Sequence, residues 1–265
     1  MDYPIKMIVT DLDGTLLLSD KTISERTIAI LNKCREMGIK LVYATGRGGS
    51  AESLTSTALF DGKITMNGAI VKVEDTLVHS RLIPYQIARP LLVACDNRGL
   101  CIVSETGNIH YSNFVVSDVW PAFTNFEIVD FSHHNMDAEK IYLTKLTPED
   151  EKFVEEQLPD SLYMVVAQAD DLVMIMHKEA SKSKGISVLA HMWGIAPCEI
   201  VAFGDDMNDI DMLSYAGIGV AMGNAREELK AVSNFVCLSN DDNGLAEWLS
   251  ENVLCTRFTK KAVAN

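Results

Sequence analysis

Two stretches of the chain, residues 5–44 and 182–253, alternate short apolar runs with helical patterns, and a block of different character separates them. Residues 5 to 10 read as a buried strand. Ser24 is placed to cap a helix in which Ile28, Leu31, Cys34 and Met37 recur at near-helical spacing, and Gly38 stands where that helix should stop. IKLVYA (39–44) is a second apolar run. Strand, helix and strand joined by such short loops predict a right-handed βαβ unit in a parallel sheet. The last third repeats the alternation. A helix runs from about Lys182 to near Gly194, EIVAF (199–203) is a strand, and DMNDIDMLSYAG opens a helix that ends at Gly217. IGVAM, AREELKAV, NFVCL and DDNGLAEWLSENV then read as strand, helix, strand and helix.

The middle block follows another rule. From about Arg81 to His177, alternating runs come in pairs, LCIVSE with NIHYSN and LYMVVAQ with DLVMIMH. The turn-like TGN and ADD between them predict antiparallel hairpins. Pro84 and Pro148 suit helix starts, the second with Thr147 as its cap. The fold class expected is therefore α/β: a doubly wound, Rossmann-like parallel sheet made of residues 1–81 and 182–265, with an α+β insert at 82–181. TRFTKKAVAN at the end reads as a short tail.

Charge narrows the partners. With a formal net charge of −14 and 48% hydrophobic residues, the surface disfavours nucleic acid and anionic membrane. A small anionic substrate remains compatible if cations gather at one place. No apolar run approaches the ~20 residues of a membrane helix, and MDYPIKMIVTD lacks a basic segment followed by an apolar one. Six scattered cysteines without a C-x-x-C suit a reducing compartment. A cytoplasmic protein is expected; its oligomeric state is not readable.

In IVTDLDGTLL (8–17), two carboxylates stand two residues apart at the end of a buried strand. In an extended segment Asp11 and Asp13 project to the same side, where they repel. The second strand ends in Thr45, Gly46 and Arg47, a hydroxyl, a flexible glycine and a cation suited to a phosphate oxygen. GDDMND (204–209) places Asp205, Asp206 and Asp209 at a helix start, and Lys182 and Lys184 precede another core helix. The carboxyl edge of a parallel sheet is where ligands bind. Carboxylates from two strand ends require a positive charge, and Mg²⁺ with its oxygen ligands meets that need while leaving room for a phosphate.

DLDGT, TGR, a Lys-Gly pair before a helix, and GDDMND, in that order, resemble the four motifs of the haloacid dehalogenase-like hydrolase superfamily. The position of the insert, together with MNGA (66–69) and GIGVAMGNA (217–225), is similar to the Cof-type phosphatases, whose cap domain sits there. The resemblance implies that Asp11 is a nucleophile forming an aspartyl-phosphate. Asp13 would protonate the leaving alcohol and then activate water. Mg²⁺ would be held by Asp11, the backbone carbonyl of Asp13, and Asp205. Thr45, with neighbouring backbone N–H groups, and Lys184 would clamp the phosphoryl oxygens, with Asn208 nearby and Asp209 orienting the lysine. Lys184 is chosen over Lys182 because it directly precedes Gly185, with Lys182 kept as the alternative. Where many relatives carry a proline after TGR this chain has Gly48, Gly49 and Ser50, which bears on Arg47. The substrate expected is a small phosphorylated metabolite, sugar phosphates first.

Competing readings carry less. GIGVAMG lacks the dinucleotide G-x-G-x-x-G spacing, and TGRGG lacks a P-loop lysine. His133 and His134 read as a loop, and Trp120, Trp193 and Trp248 as core residues. A phosphotransferase or mutase using the same intermediate stays open beside hydrolysis. A phospho-aspartate signalling module needs neither Asp13 nor an insert.

Overall fold

The computed structural model describes residues 4–55, 59–121, 123–167 and 172–255. The chain divides into two compact units, Met1–His79 with Ser181–Asn265, and Ser80–Ala180. Along the chain the strands are β1 (Met7–Thr10), β2 (Lys40–Ala44), β3 (Gly62–Thr65), β4 (Ile70–Val73), β5 (Thr76–Ser80), β6 (Cys101–Thr106), β7 (Ile109–Ser112), β8 (Phe126–Ile128), β9 (Lys140–Thr144), β10 (Leu162–Ala167), β11 (Leu172–His177), β12 (Ile200–Gly204), β13 (Ile218–Ala221) and β14 (Phe235–Val236). The helices are α1 (Glu25–Glu36), α2 (Ser50–Leu54), α3 (Tyr85–Asn97), α4 (Pro148–Gln157), α5 (Lys182–Trp193), α6 (Ile210–Tyr215), α7 (Glu227–Val232) and α8 (Gly244–Leu249).

The first unit is built on a sheet in the order β14-β13-β12-β1-β2-β3-β4-β5. From β14 to β3 each neighbouring pair is parallel, and β4 turns back antiparallel to β3. The central strands β1 and β12 are buried along their whole length, as expected of a parallel strand covered on both faces. The α1 helix begins where Ser24 accepts a hydrogen bond from the Thr27 N–H, and α5 ends at Gly194 in the left-handed conformation. The strand at NFVCL is shorter than its apolar run, because it pairs on one side only and Phe235 and Val236 stay exposed. The β3-β4-β5 stretch did not stand out in the sequence, since its runs are short and interrupted by Lys63 and Lys72.

The inserted unit carries a sheet in the order β10-β11-β9-β6-β7-β8, antiparallel except for the β7–β8 pair. The TGN hairpin forms as its residues predict, with Gly107 and Asn108 both at positive φ. The ADD turn and the terminal TRFTKKAVAN lie outside the described residues. Helices α3 and α4 bury Leu91, Leu92, Cys95 and Val154 against Ile102, Ile141, Leu143 and Ile175 of the strands. A reciprocal cap between Thr147 and Asp150 starts α4. Among the described residues no helix is long and apolar enough to cross a membrane.

Leu41 lies on β2 with no exposure. Leu41→Ala should cost about 2–5 kcal/mol, read as a lowered urea midpoint with an unchanged slope.

Candidate active site

Connections leave β1 toward β2 and β3 on one side, while β12 leads to β13 and β14 on the other. The crevice at such a switch point, beyond the strands' carboxyl ends, is the ligand position of the fold. Asp11 stands there, its N–H donating to Phe203 of β12 at 3.0 Å and its side chain buried. Lys182, the first residue of α5, reaches it: Nζ lies 2.6 Å from Asp11 Oδ1 and 2.5 Å from Asp209 Oδ1. The lysine side chain is wholly buried. Asp209 completes the bracket, accepting at Oδ2 from the N–H groups of Asp205 (2.9 Å) and Asp206 (3.1 Å).

The structure therefore places Lys182 where Lys184 was expected. Lys184 is exposed, and its N–H takes part in capping α5 through Ser181 Oγ. Two residues along a helix turn by roughly 200°, so the two lysines cannot share the buried face. Gly185 has another reason to be glycine: a Cβ there would lie 2.7 Å from Ile64 Cγ2 of β3.

Asp11, Asp205 and Asp209 each offer a carboxylate oxygen within 4.8 Å of the others. Burial pushes the Asp11 carboxyl up to about 8; Lys182 opposes that rise, and Asp209 and Asp205 reinforce it. Burial likewise pushes Asp205 up to about 6, against a hydrogen bond from Thr15 Oγ1 at 2.8 Å and with repulsion from Asp209. Although its own burial works the other way, Asp11 and Asp209 hold the Lys182 ammonium above its ordinary value. Three carboxyls sharing one ammonium remain short of positive charge, and an all-oxygen donor set suits a hard divalent cation. Thr15 went unremarked in the sequence, though it lies within DLDGT.

Asp13 is sorted away from this cluster. β1 ends at Thr10, so the two-residue alternation does not carry through to Asp13. Its carboxylate takes Nε and Nη2 of Arg47, the latter at 2.7 Å, and Lys21 Nζ at 2.8 Å. Burial raises the Asp13 carboxyl, but the hydrogen bonds from Arg47 and Lys21 prevail and hold it below the usual carboxylate range. Lys21 had no signal in the sequence beyond being a loop cation. Arg47 thus spends its guanidinium on Asp13. Thr45 is buried, with Oγ1 accepting from the Arg47 N–H at 3.1 Å, and Gly46 lies against the side chain of Asn67. Asn208 donates from Nδ2 to Asn67 Oδ1 at 3.0 Å. Asp206, exposed, caps the turn that follows it and pairs with Arg226 at 2.6 Å.

Gly14 sits at φ +73°, and a Cβ there would fall 2.4 Å from Asp205 Oδ2. Gly14→Ala should displace that carboxylate and weaken divalent-cation binding about 10-fold or more. Calorimetric titration of both proteins checks this; equal affinities would remove Asp205 from the ligand set.

A family model described as haloacid dehalogenase-like hydrolase matches residues 8–249. A Haemophilus influenzae relative is 31% identical over 273 residues, covering 94% of this chain and 97% of its own. The 5-amino-6-(5-phospho-D-ribitylamino)uracil phosphatase YitU of Bacillus subtilis is 29% identical, over 92% of this chain and 96% of its own. The solved structure of the subclass IIB sugar phosphatase BT4131 superimposes with a TM-score of 0.79 at 28% identity, covering 92% of this chain and 98% of that one. The α/β core with its inserted α+β cap is the architecture of these phosphatases, and the chain belongs to the haloacid dehalogenase-like hydrolases, as a phosphoric monoester hydrolase.

Proposed function

We propose that this enzyme is a Mg²⁺-dependent phosphatase that hydrolyses small phosphomonoesters, sugar phosphates foremost, through an aspartyl-phosphate on Asp11. The observation that carries the reading is Lys182, buried between Asp11 and Asp209 beside a third carboxyl at Asp205. Such a cluster orients one carboxylate and leaves it short of countercharge until a cation and a phosphoryl group arrive. The polyol phosphate in the name of YitU and the sugar phosphatase title of BT4131 support the substrate class.

In the first step an Asp11 Oδ attacks phosphorus. The bond to the leaving oxygen breaks, and that oxygen takes a proton from Asp13. In the second, Asp13 accepts a proton from water, the resulting hydroxide attacks phosphorus, and Asp11 departs with its carboxylate restored. Lys182 fixes the attacking carboxylate and neutralises charge on the phosphoryl oxygens, with Thr45, the Gly46 backbone and Asn208 as further donors. Asp209 holds Lys182 in place. Arg47 and Lys21 keep Asp13 ionised in the free protein, so arrival of a phosphoryl group that attracts Arg47 is what allows Asp13 to carry a proton. Mg²⁺, with Asp11, Asp205 and the Asp13 carbonyl as ligands, would offset negative charge on the phosphoryl group.

Phosphate release from a panel of small phosphomonoesters should require Mg²⁺ and disappear in Asp11→Asn. Lys182→Ala should lower kcat/KM at least about 100-fold, whereas Lys184→Ala stays near wild type; the reverse order would return the role to Lys184. Mg²⁺ affinity should rise between pH 6 and 8, because the carboxyls of Asp11 and Asp205, raised to about 8 and about 6, must lose protons to bind it. A flat affinity profile over that window would count against these two ligands.

A further inference from the structure

The MNGA segment has no part in the chemistry described so far, yet its backbone is unusual. Met66, Asn67 and Gly68 stand in succession at positive φ, 51°, 51° and 99°. Asparagine and glycine visit that region readily, but methionine does so only where its surroundings impose it. The surroundings here are the active-site loops. The Met66 N–H donates to the Arg47 carbonyl at 3.0 Å and the Asn67 N–H to the Thr45 carbonyl at 2.9 Å. Gly68 packs so closely on the cap of α5 that a Cβ would fall 2.0 Å from the Ser181 carbonyl oxygen. The Asn67 side chain is buried, its amide 3.2–3.3 Å from where a Cβ on Gly46 would stand. Its Oδ1 accepts from Asn208 Nδ2 at 3.0 Å.

We propose that Asn67 is a positioning residue of the active site, fixing the Asn208 amide so that its N–H, and not its oxygen, is presented to a phosphoryl oxygen. This rests on the proposed phosphatase reading. An amide nitrogen carries two hydrogens. One is committed to Asn67 Oδ1, which sets the direction of the amide plane; the second is the donor for the phosphoryl group. Asn208 is on the exposed side of its loop, so without that acceptor its amide rotates, and a carbonyl oxygen facing the anion repels it. The left-handed turn delivers the acceptor: it is bonded to the Thr45 and Arg47 carbonyls on one side and, through Asn67 Oδ1, to Asn208 on the other, so it links the 45–47 loop to the loop bearing Asn208. Donors held in place before the reaction cost no reorganisation during it.

A double-mutant cycle tests this. Asn67→Gly keeps the backbone freedom and removes the acceptor; Asn208→Ala removes the donor. Each should lower kcat/KM about 10-fold, mostly through kcat, and the double variant should lose about 10-fold and not about 100-fold, because the two act as one unit. Asn67→Asp retains both an acceptor and tolerance of positive φ, so in that background Asn208→Ala should still cost about 10-fold. Wild-type Mg²⁺-dependent phosphate release is the control, and its absence would refute the phosphatase reading itself. With that control positive, multiplicative losses in the double variant, or wild-type kcat/KM in Asn67→Gly, would overturn the role given to Asn67.

Discussion

A lysine ammonium with no exposure survives only with its charge fully matched, and Lys182 has Asp11 on one side and Asp209 on the other. The pairing spans 171 residues to Asp11 and 27 to Asp209. It fastens the first residue of the first helix after the insert to the end of the first strand. The interrupted core is thereby closed at the point where its chemistry lies. Asp209 extends the link, since its second oxygen holds the N–H groups of Asp205 and Asp206. Removing one partner would leave a buried charge uncompensated, so the same contact that orders the loop also fixes the carboxylate that attacks phosphorus on the proposed reading.

Much of this was legible in the sequence because the signals were periodic. Continuous apolar runs joined by short helical patterns dictated a parallel sheet, and three strand ends bearing Asp11, Thr45 and Asp205 follow from it. The choice between the two lysines shows where the sequence reading stopped short. The Lys-Gly adjacency selected Lys184, yet the buried face of α5 runs through Ile186, Leu189 and Ala190. Lys182 lies four, seven and eight residues before them, in phase with that face, while Lys184 is out of phase. A charged residue in step with an apolar helical face is itself a signal. Asn67 and Thr15 were illegible for a different reason: each acts through a partner remote in sequence, Asn208 and Asp205, which only the fold supplies. Lys21 lies only eight residues from Asp13, but no periodic pattern marks the turn that brings them together.

The two carboxylates of the DLD segment raise the question of how neighbours of like charge coexist. The structure answers by giving them separate environments. Asp11 is buried against Lys182 and other carboxyls and is pushed up; Asp13 faces Arg47 and Lys21 and is held down. Environments that push two titratable groups apart assign them distinct roles. On the proposed mechanism phosphoryl transfer needs an ionised Asp11 and a protonated Asp13, and in the free protein both carboxyls are shifted the other way. Added charge can correct both shifts. A divalent cation beside Asp11 favours its ionised form, and a phosphoryl dianion that draws Arg47 away from Asp13 favours the protonated one. The free site is therefore, on the proposed reading, matched neither to the cation nor to the phosphate alone, but to the pair: each arrival would correct one of the two carboxyls. On the proposed reading the reactive protonation state is assembled only when both charges are present. Asp13 then gives up its proton where a leaving oxygen stands ready to accept it, and not to bulk water beforehand.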